Sequence, residues 1–508
     1  MGKKDKNKKK GKGAEKTAMK TDKKLAAKQK KLLLKIGEAA IEEIVANLES
    51  EEARLKEVTE TICECPSPRS NFTLTAHPEK DEIILFGGEF FNGQKICIYN
   101  DLYFYNISKN EWRLVKSPSG PAPRSGHQMC SVAKEGGQLW LFGGEHASPS
   151  QMQFYHYKDL WVFQLANKRW EKISAPNGPS PRSGHRMTVT KKKLIVFGGF
   201  HDNNQAYKYF NDVHMFSLES YTWLKIDITG TILPPPRSGC CISASPDGKI
   251  LIWGGYSKSQ VKKEIDRGTT HTDMFALTPD KSQPNEKFKW TTVKPGGFKP
   301  LPRSSVGFAQ AANGKVYCFG GVMDIEEDEE NLRGQFGNEL YCLDISNNTW
   351  RLLDIHKKEK SKGKKTGVAD CEMDESKEET KTQTTTDGIF TITVAGPSSS
   401  SSEIHTHKEG TISKFEPSHR MNAGLCVIKG NLYVYGGIYE DDYNKQFTYN
   451  DLYSLDLHKL DEWKTIITNT QHDWMDDDYD KDSSGSETGS DSETETDEDE
   501  DGESMETD

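Results

Sequence analysis

The chain of 508 residues is only 34% hydrophobic and has a mean hydropathy of −0.76, which is too polar for a single compact globule. Its formal net charge of −10 conceals two opposed ends, because residues 1–35 carry fifteen Lys against three acids and residues 473–508 carry eighteen Asp or Glu against Lys481. No apolar run approaches the roughly 18 residues of a membrane helix and no apolar segment follows Met1, so we expect an intracellular chain in the cytoplasm, the nucleus or both. The ten Cys lack metal-ligand spacing, which indicates free thiols in a reducing compartment and no metal site.

The N-terminal region divides into a basic tail and a predicted helix. Residues 1–21 contain many Lys but neither Arg nor aromatic residues, which predicts a disordered tail. Its charge fits a nuclear or nucleolar address, an arm that contacts nucleic acid (RNA) only weakly, or an intramolecular partner of the acidic tail. Residues 22–60 lack Pro and are rich in Ala, Leu, Lys and Glu, which predicts a helix. Leu34, Ile41, Leu48 and Leu55 recur every seven residues, which fits either a helix packed on the rest of the chain or a self-associating coiled coil. We expect the packed helix and a monomer.

One pattern then occurs six times between residues 68 and 463. Each copy opens on Pro-Arg-Ser or a variant, and the copies begin at Pro68, Pro123, Pro181, Pro236, Pro302 and Pro417. Each continues to a short apolar segment that ends in a Gly pair, beginning at Gly87, Gly143, Gly198, Gly254, Gly320 and Gly436. Each closes on a single Trp, at Trp112, Trp170, Trp223, Trp290, Trp350 and Trp463. Apolar runs of this length between turn residues are typical of strands buried on both faces.

A repeat of about 50 residues with these marks resembles the kelch motif of β-propellers. The resemblance implies an all-β, six-bladed kelch β-propeller over residues 66–467, with four antiparallel strands per blade and the Trp packed between blades. The repeats span about 68–116, 123–174, 181–228, 236–294, 302–355 and 417–467. Because the first copy begins at its first strand and the last ends at its fourth, we predict that each blade is continuous in sequence. The ring would then close by packing of the first blade on the sixth.

An insertion separates the fifth copy from the sixth. Successive Gly pairs lie 56, 55 and 56 residues apart, then 66, then 116. The last interval contains residues 356–412, which are rich in Lys, Glu, Thr and Ser and predict a disordered surface loop. Its apolar island, residues 389–394, fits either an added edge strand or a docking segment.

The C-terminal residues 473–508 predict an acidic, disordered tail. Six of its Ser and Thr residues have an acid three positions later, which suits an acidophilic kinase. These phosphorylation candidates are Ser484, Thr488, Ser490, Ser492, Thr494 and Thr496. The composition fits equally well a solvated tail that only improves solubility.

More narrowly, the chain resembles the kelch domain-containing protein 4 family. The shared stretches are the Met-Gly-Lys-Lys start, HPEKDE at residues 77–82, FYHYKDLW at 154–161 and GYSK at 255–258. The resemblance covers roughly residues 1–355 and extends past the insertion at residues 436–441. It implies a fold and an intracellular protein, and it supplies no substrate.

In kelch propellers, partners commonly bind at the rim of the central opening, at the start of the innermost strands and on the loops after Gly-Gly. Carried over to this sequence, the resemblance places at the rim Arg69, Arg124, His127, Arg182, His185, Arg237 and Arg303. In the sixth copy, Pro417-Ser418-His419-Arg420 displaces the Arg by two positions. The loops after Gly-Gly add Phe91, Tyr155, His156, Tyr157, Phe200, His201, Tyr256 and Tyr439. Aromatics and Arg in a concave site favour partner binding, but the repeated Arg fit equally a structural role in which each bonds carbonyl groups of the next blade.

Function is predicted by elimination together with this chemistry. We predict a noncatalytic protein-binding scaffold or adaptor without a cofactor. One alternative is a chaperone or assembly factor for a basic client, a ribosomal protein or a histone, whose charge the acidic tail would screen. Another is a substrate receptor of a ubiquitin ligase, although the sequence before the repeats is too short for a BTB–BACK pair. An enzyme is not expected, because a galactose-oxidase-like site needs Tyr and His copper ligands and no such constellation stands out from the repeats.

Overall fold

The structure is a computed structural model that describes residues 31, 33, 37–203, 206–262, 265–280, 287–326, 332–355, 385–387, 390–392, 415–442 and 445–470. The predicted basic tail 1–21, most of the insertion 356–412, the acidic tail 473–508 and the six phosphorylation candidates lie outside the described residues. Within the described ranges, no helix combines the length and the apolar character that crossing a bilayer requires.

Six antiparallel blades form a ring, which confirms the predicted six-bladed propeller. The innermost strands are Thr73–Ala76, Gln128–Val132, Arg186–Thr190, Cys241–Ala244, Gly307–Gln310 and Gly424–Ile428. The second strands are Glu82–Phe86, Gln138–Phe142, Lys193–Phe197, Ile250–Trp253, Lys315–Phe319 and Asn431–Glu440. The third strands are Leu102–Asn106, Leu160–Gln164, Val213–Ser217, Met274–Pro279, Leu340–Asp344 and Gln446–Asp456. The fourth strands are Glu111–Lys116, Arg169–Ile173, Thr222–Lys225, Lys287–Val293, Thr349–Leu352 and Trp463–Ile467.

The second strand of each blade explains the apolar runs before Gly-Gly. It lies between the innermost and third strands, and both of its faces pack against a neighbouring blade. In Glu82–Phe86 and Gln138–Phe142 every residue is buried. A strand covered on both faces reads as a continuous apolar run rather than as an alternation of apolar and polar residues.

The repeated Trp residues join the blades, as predicted. Each Trp lies on a fourth strand and packs on the aromatic residue that precedes Gly-Gly in the preceding blade. The ring centroids of these pairs lie 5.3 to 5.9 Å apart, for Trp112–Tyr435, Trp170–Phe86, Trp223–Phe142, Trp290–Phe197, Trp350–Trp253 and Trp463–Phe319. Among the described residues, the core of the ring is therefore divided into six clusters, one between each pair of neighbouring blades.

Ring closure occurs between blades 1 and 6 and uses packing. The four strands of each blade are consecutive in sequence, and among the described residues no strand is exchanged between the two blades. The segment before blade 1 adds hydrogen bonds, because the Tyr435 hydroxyl donates to the Pro66 carbonyl at 3.1 Å and the Asn450 amide donates to the same oxygen at 3.3 Å. Within the described residues, the prediction that no blade borrows a strand for closure is confirmed.

In the part of the chain that the structure describes, three blades carry an additional outermost strand. Thr59–Cys63 pairs antiparallel with the fourth strand of blade 1, whereas Asp227–Thr229 and Gly296–Gly297 pair parallel with those of blades 4 and 5. In the insertion, Thr385–Asp387 pairs with Phe390–Ile392 as a two-stranded hairpin, so part of the predicted apolar island is a strand.

The predicted helix over residues 22–60 is wrong in its extent. The described helix, α1, spans Ile41–Arg54. Before it, Gly37 adopts φ +71° and the Glu38 N–H donates to the Leu33 carbonyl at 3.0 Å, which is the geometry that terminates a helix at a left-handed glycine. After it, residues 59–60 belong to the added strand of blade 1, where β-branched Thr and Ile favour the sheet.

Candidate partner-binding face

The two predicted groups of site residues lie on one face of the propeller. The innermost strand of each blade begins at the end where the second strand finishes, and the residue after each Arg forms a β-bridge to the residue after Gly-Gly. In blades 1 to 5 the second and third strands are joined by hairpins made of Glu89–Phe91 with Ile96–Ile98, Glu145–Ala147 with Phe154–His156, Phe200–Asp202 with Tyr207–Tyr209, Tyr256–Lys262 with Ile265–Thr270, and Val322–Glu326 with Leu332–Phe336. In blade 6 the two long strands extend in the same way. We call these six projections and the loops beside them the crown.

Four of the predicted rim arginines, Arg69, Arg124, Arg182 and Arg237, are buried inside the blades, and Arg303 is half-buried. In blade 2, Arg124 is 0% exposed, and its Nη1 donates to Gly143 O at 3.1 Å and to Asp159 Oδ1 at 2.7 Å. Its Nη2 donates to Asp159 Oδ2 at 3.1 Å and its Nε to Ala122 O at 3.0 Å. The guanidinium also lies over the Tyr157 ring, 3.9 Å from its centroid. The side chain thus ties together three segments of its own blade.

The same arrangement recurs in all six blades. Each guanidinium donates to the carbonyl of the first Gly of the pair in its own blade. Each also pairs with an acid, which directly precedes the third strand in blades 1 to 5 and lies within the longer third strand of blade 6. These acids are Asp101, Asp159, Asp212, Asp273, Glu339 and Asp451. The predicted bonding to the next blade is therefore wrong for the side chain, since the Arg side chain bonds its own blade. This geometry favours the structural alternative for the repeated Arg.

Arg420 makes the same contacts as the other five arginines, although in sequence it lies two positions later relative to the Pro of its copy. It is fully buried, and its Nη1 donates to Gly436 O at 3.0 Å and to Asp451 Oδ1 at 2.6 Å. In the other five copies the Pro directly precedes the Arg, whereas Pro417 lies three positions before Arg420.

The predicted rim histidines lie between blades. His127 is 1% exposed, its Nε2 lies 3.1 Å from Thr73 Oγ1, and its ring meets Phe86 of blade 1 edge-on. His185 is also buried and meets Phe142 in the same way. Burial, reinforced by the neighbouring Arg124, lowers the pKa of His127 to about 3, and burial likewise lowers the pKa of His185 far below its usual range. Both rings are therefore neutral packing groups at physiological pH.

Two of the predicted loop aromatics are covered by α1. Ile41 and Val45 of the helix are buried against Ala122 and Tyr157, and Tyr155 packs on the edge of this cluster. The sequence predicted a packed helix but not its location. The contact residues lie more than 70 positions apart in the chain, so no local pattern could have revealed it.

The other predicted loop residues remain at the surface of the crown, with one exception. Phe91, Phe200, His201, Tyr256 and Tyr439 are half-buried. His156 is only 5% exposed and stacks on His201, with 4.6 Å between ring centroids. The Asp202 N–H donates to His156 Nε2 at 3.0 Å.

Sequence reasoning missed a group of exposed apolar side chains on the crown face of blades 4 to 6. They lie on the connections that enter these blades and on the projection of blade 6, and they are Ile232, Leu233, Phe298, Leu301, Phe415 and Phe447, with exposures from 39% to 59%. The aromatic ring of Phe447 lies 6.1 Å from that of Tyr439. The apolar residues directly before the prolines of copies 4 and 5 were the available signal.

A second missed feature is a pair of carboxyl groups, Glu89 and Glu145, next to Asn71 and Gly126. These two neighbours line the central channel, a space of about 660 Å³ between the innermost strands. Glu89 accepts a hydrogen bond from Ser125 Oγ at 2.6 Å, and Glu145 accepts one from Ser183 Oγ at 2.9 Å. Desolvation, together with the nearby Glu89, raises the pKa of Glu145 to about 8, and desolvation also raises the pKa of Glu89. Both residues directly follow Gly-Gly, which was the signal available. The described residues contain no group of three or more His, Cys, Asp or Glu side chains able to hold a metal ion.

The raised pKa of Glu145 gives a testable pH dependence of stability. A carboxyl group with a pKa near 8 when folded and about 4.5 when unfolded binds more protons in the folded chain, so the free energy of unfolding falls as pH rises between these values. The melting temperature should therefore fall between pH 6.5 and pH 9, and it should fall less in Glu145→Gln. The series starts at pH 6.5 because the buried neutral histidines titrate in the opposite sense below it. Scanning fluorimetry measures both slopes, and equal slopes would contradict the assignment.

Two family models agree with the repeat and with the propeller. The family described as "FBX42, beta-propeller domain" matches residues 69–281, and the "Kelch motif" matches residues 309–354. Host cell factor 1 of Homo sapiens is 27% identical over 313 residues, which cover 57% of this chain and 14% of that protein. Putative adagio-like protein 2 of Oryza sativa subsp. japonica is 30% identical over 301 residues, covering 56% of this chain and 42% of that protein. The chain thus spans less than half the length of these relatives. A solved structure, YjhT, aligns with a TM-score of 0.46 and 15% identity over 79% of this chain and 98% of that one.

Proposed function

Because the chain is a kelch-repeat β-propeller, we propose that it is a noncatalytic protein-binding scaffold or adaptor whose partner contacts the crown on blades 3 to 6. Proteins of this family generally act by binding other proteins. The single observation that carries the proposal is the concentration of exposed aromatic and apolar side chains on this part of the crown, while α1 covers blade 2. Exposed apolar side chains gathered on one face of a protein mark interaction sites.

The composition of this surface fits a protein partner. Phe200 and Tyr209 of blade 3 lie with their ring centroids 5.8 Å apart, and Tyr439 of blade 6 lies between Phe336 and Phe447. Half-exposed aromatic rings held by β-hairpins lose little side-chain entropy on binding, which is why such residues become binding hot spots. The buried Arg and His side chains would act by holding the hairpins in place.

A basic client is the second candidate partner, and it rests on the eighteen acids of residues 473–508 against one Lys. Under this second proposal, the crown contacts the folded part of the client and the acidic tail screens the positive charge of the client. A ubiquitin-ligase receptor and membership of the kelch domain-containing protein 4 family are narrower proposals, for which the sequence resemblances are the support. We propose further that the chain is a monomer and resides in the cytoplasm, the nucleus or both.

The proposal predicts a face-specific loss of binding. Replacing Tyr439 and Phe447 together with Ala should weaken partner capture by about 2 kcal/mol, which is the scale of a hot spot. The measurement is affinity purification of the full chain followed by mass spectrometry, at low and high salt. His458→Ala with Lys459→Ala is the matched control, because both residues are exposed on the opposite face of the same blade. Equal capture by both variants would overturn the crown as the binding face, and partners lost only at high salt would favour the basic client.

A further inference from the structure

The N-terminal segment is held on the crown through a small contact. Only Ile41 and Val45 of α1 are buried, while Ile44, Leu48 and Glu52 are half-buried and the remaining helical residues are exposed. A helix of 14 residues is marginal in water on its own, so its order depends on this contact. A modest change in the contact can therefore release the helix.

Most of the polar part of the contact centres on Glu38. Its carboxylate accepts hydrogen bonds from Ser150 Oγ at 2.9 Å, from the Ser150 N–H at 3.2 Å and from Gln153 Nε2 at 3.0 Å. Gln153 also donates to Ala39 O at 2.9 Å and accepts from the Ile41 N–H at 3.1 Å. Although partial desolvation opposes ionisation, the hydrogen bonds from Ser148, Gln153 and Ser150 lower the pKa of Glu38, so it is an anion at neutral pH.

Ser150 lies at the exposed tip of the blade 2 hairpin. The tip is a tight loop closed by the Ser148 N–H, which donates to Gln153 O at 2.9 Å, and by the Gln151 N–H, which donates to Ser148 O at 2.8 Å. Ser148 and Gln153 are buried, whereas Pro149 and Ser150 are exposed. The Ser150 hydroxyl, which bonds Glu38, is therefore also accessible to an enzyme from solvent, whereas Ser148 is buried.

We propose that Ser150 is a phosphorylation site and that its modification releases α1 from blade 2. A protein kinase would transfer the γ-phosphoryl group of ATP to Ser150 Oγ. The Oγ–P bond forms, the bond from the γ-phosphorus to the bridging oxygen breaks, ADP leaves and the hydroxyl proton passes to a base. The phosphate adds a charge of about −1.5 to −2 where Glu38 already carries a negative charge, and it replaces a hydrogen-bond donor by acceptors.

Release would enlarge the accessible crown. Tyr157 is 3% exposed beneath α1 and Tyr155 is half-buried beside it. Freed of the helix, these two rings extend the aromatic surface from blade 3 onto blade 2. The inference does not depend on the proposed function, because release of the helix can be measured without any partner.

Hydrogen exchange of the full chain tests the release. With phosphoserine incorporated at position 150, or with Ser150→Asp, the amides of Ile41–Arg54 should exchange at least about tenfold faster than in the wild type. Ser220→Asp is the matched control, since Ser220 is exposed in a turn on the opposite face, and it should leave these amides unchanged. Exchange equal to the wild type in both the phosphoserine and Asp forms would overturn the proposal.

Removing the charge of Glu38 distinguishes two effects of the Ser150 modification, the repulsion between two negative charges and the loss of a hydrogen bond. In a Glu38→Gln background, Ser150→Asp should accelerate exchange only slightly, because one of the two facing charges is gone. An undiminished effect in that background would contradict repulsion between the two groups. Mass spectrometry of the protein isolated from cells treated with phosphatase inhibitors should find phosphate on Ser150, and its absence there would overturn the modification itself.

Discussion

Replacing Trp290 with alanine should destabilise the propeller by about 3–5 kcal/mol, the range typical of truncating a buried Trp. Trp290 is 1% exposed and packs on Phe197 of the preceding blade and Phe275 of its own, with centroid distances of 5.6 and 6.3 Å. The cavity left by the indole would lie between the sheets of blades 3 and 4. Each of these sheets also packs against a second neighbouring blade, which holds it in place. The surrounding residues can therefore collapse into it only partly, which keeps the cost high.

Urea unfolding followed by circular dichroism measures this loss. The matched control is Phe298→Ala, since that aromatic side chain is 59% exposed and its truncation should change the free energy of unfolding by less than about 1 kcal/mol. A Trp290→Ala variant within about 1 kcal/mol of the wild type would show that the interblade cluster tolerates the cavity, contrary to the packing described.

The repeat made the fold predictable because each recurring feature of the pattern has one structural role in a blade. At five of the six Gly pairs the backbone lies close both to the next blade and to the start of the innermost strand of its own blade. Gly143 and Gly144 have φ values of +66° and +97°, and a Cβ added to them would lie 2.8 Å from Arg182 O and from the Cβ of His127. Such positions exclude other residues, so the pattern survives in sequence and identifies the fold.

The ends of the propeller were less predictable because nothing in the repeat determines them. The strand Thr59–Cys63 adds to blade 1 through backbone hydrogen bonds to residues 112–116, which any extended segment can make. The helix break at Gly37 depends on a single left-handed residue in otherwise helix-favouring sequence. Local composition therefore predicted correctly that a helix is present, but it predicted the ends of that helix wrongly.

The roles of the site residues were only partly predictable. An Arg that recurs in every copy indicates that each copy makes the same interaction. The sequence pattern does not show whether the Arg side chains bind another protein or bind groups within the propeller. The acid that selects between them, such as Asp159 for Arg124, lies 35 positions later and approaches only when the second and third strands align. The acid recurs in every copy of the repeat, as the Arg does. The sequence therefore contained both partners of the ion pair, but only the structure shows that they are in contact.

Replacing Arg420 with alanine should destabilise the chain by about 3–5 kcal/mol, because it leaves a buried carboxylate without its partner. The two side chains are 0% and 2% exposed, and Asp451 accepts from both Nη atoms of Arg420 at 2.6 and 2.9 Å. Tyr453 adds a hydroxyl donor to Asp451 at 2.9 Å, which cannot replace the lost positive charge. Arg420→Lys should recover only part of the loss, since an ammonium group cannot form the forked pair.

Thermal and urea unfolding of Arg420→Ala measure the loss, and Lys429→Ala is its control. Lys429 pairs with Asp81 at 2.6 Å, but the two side chains are 74% and 45% exposed, so its removal should leave stability near that of the wild type. The double variant Arg420→Met with Asp451→Leu should be more stable than Arg420→Ala, because no buried charge remains unpaired. Partner capture per folded molecule should be unchanged in Arg420→Ala if the arginine acts only within the blade. A variant that melts like the wild type yet loses its partner would instead place Arg420 at the binding surface, against its complete burial.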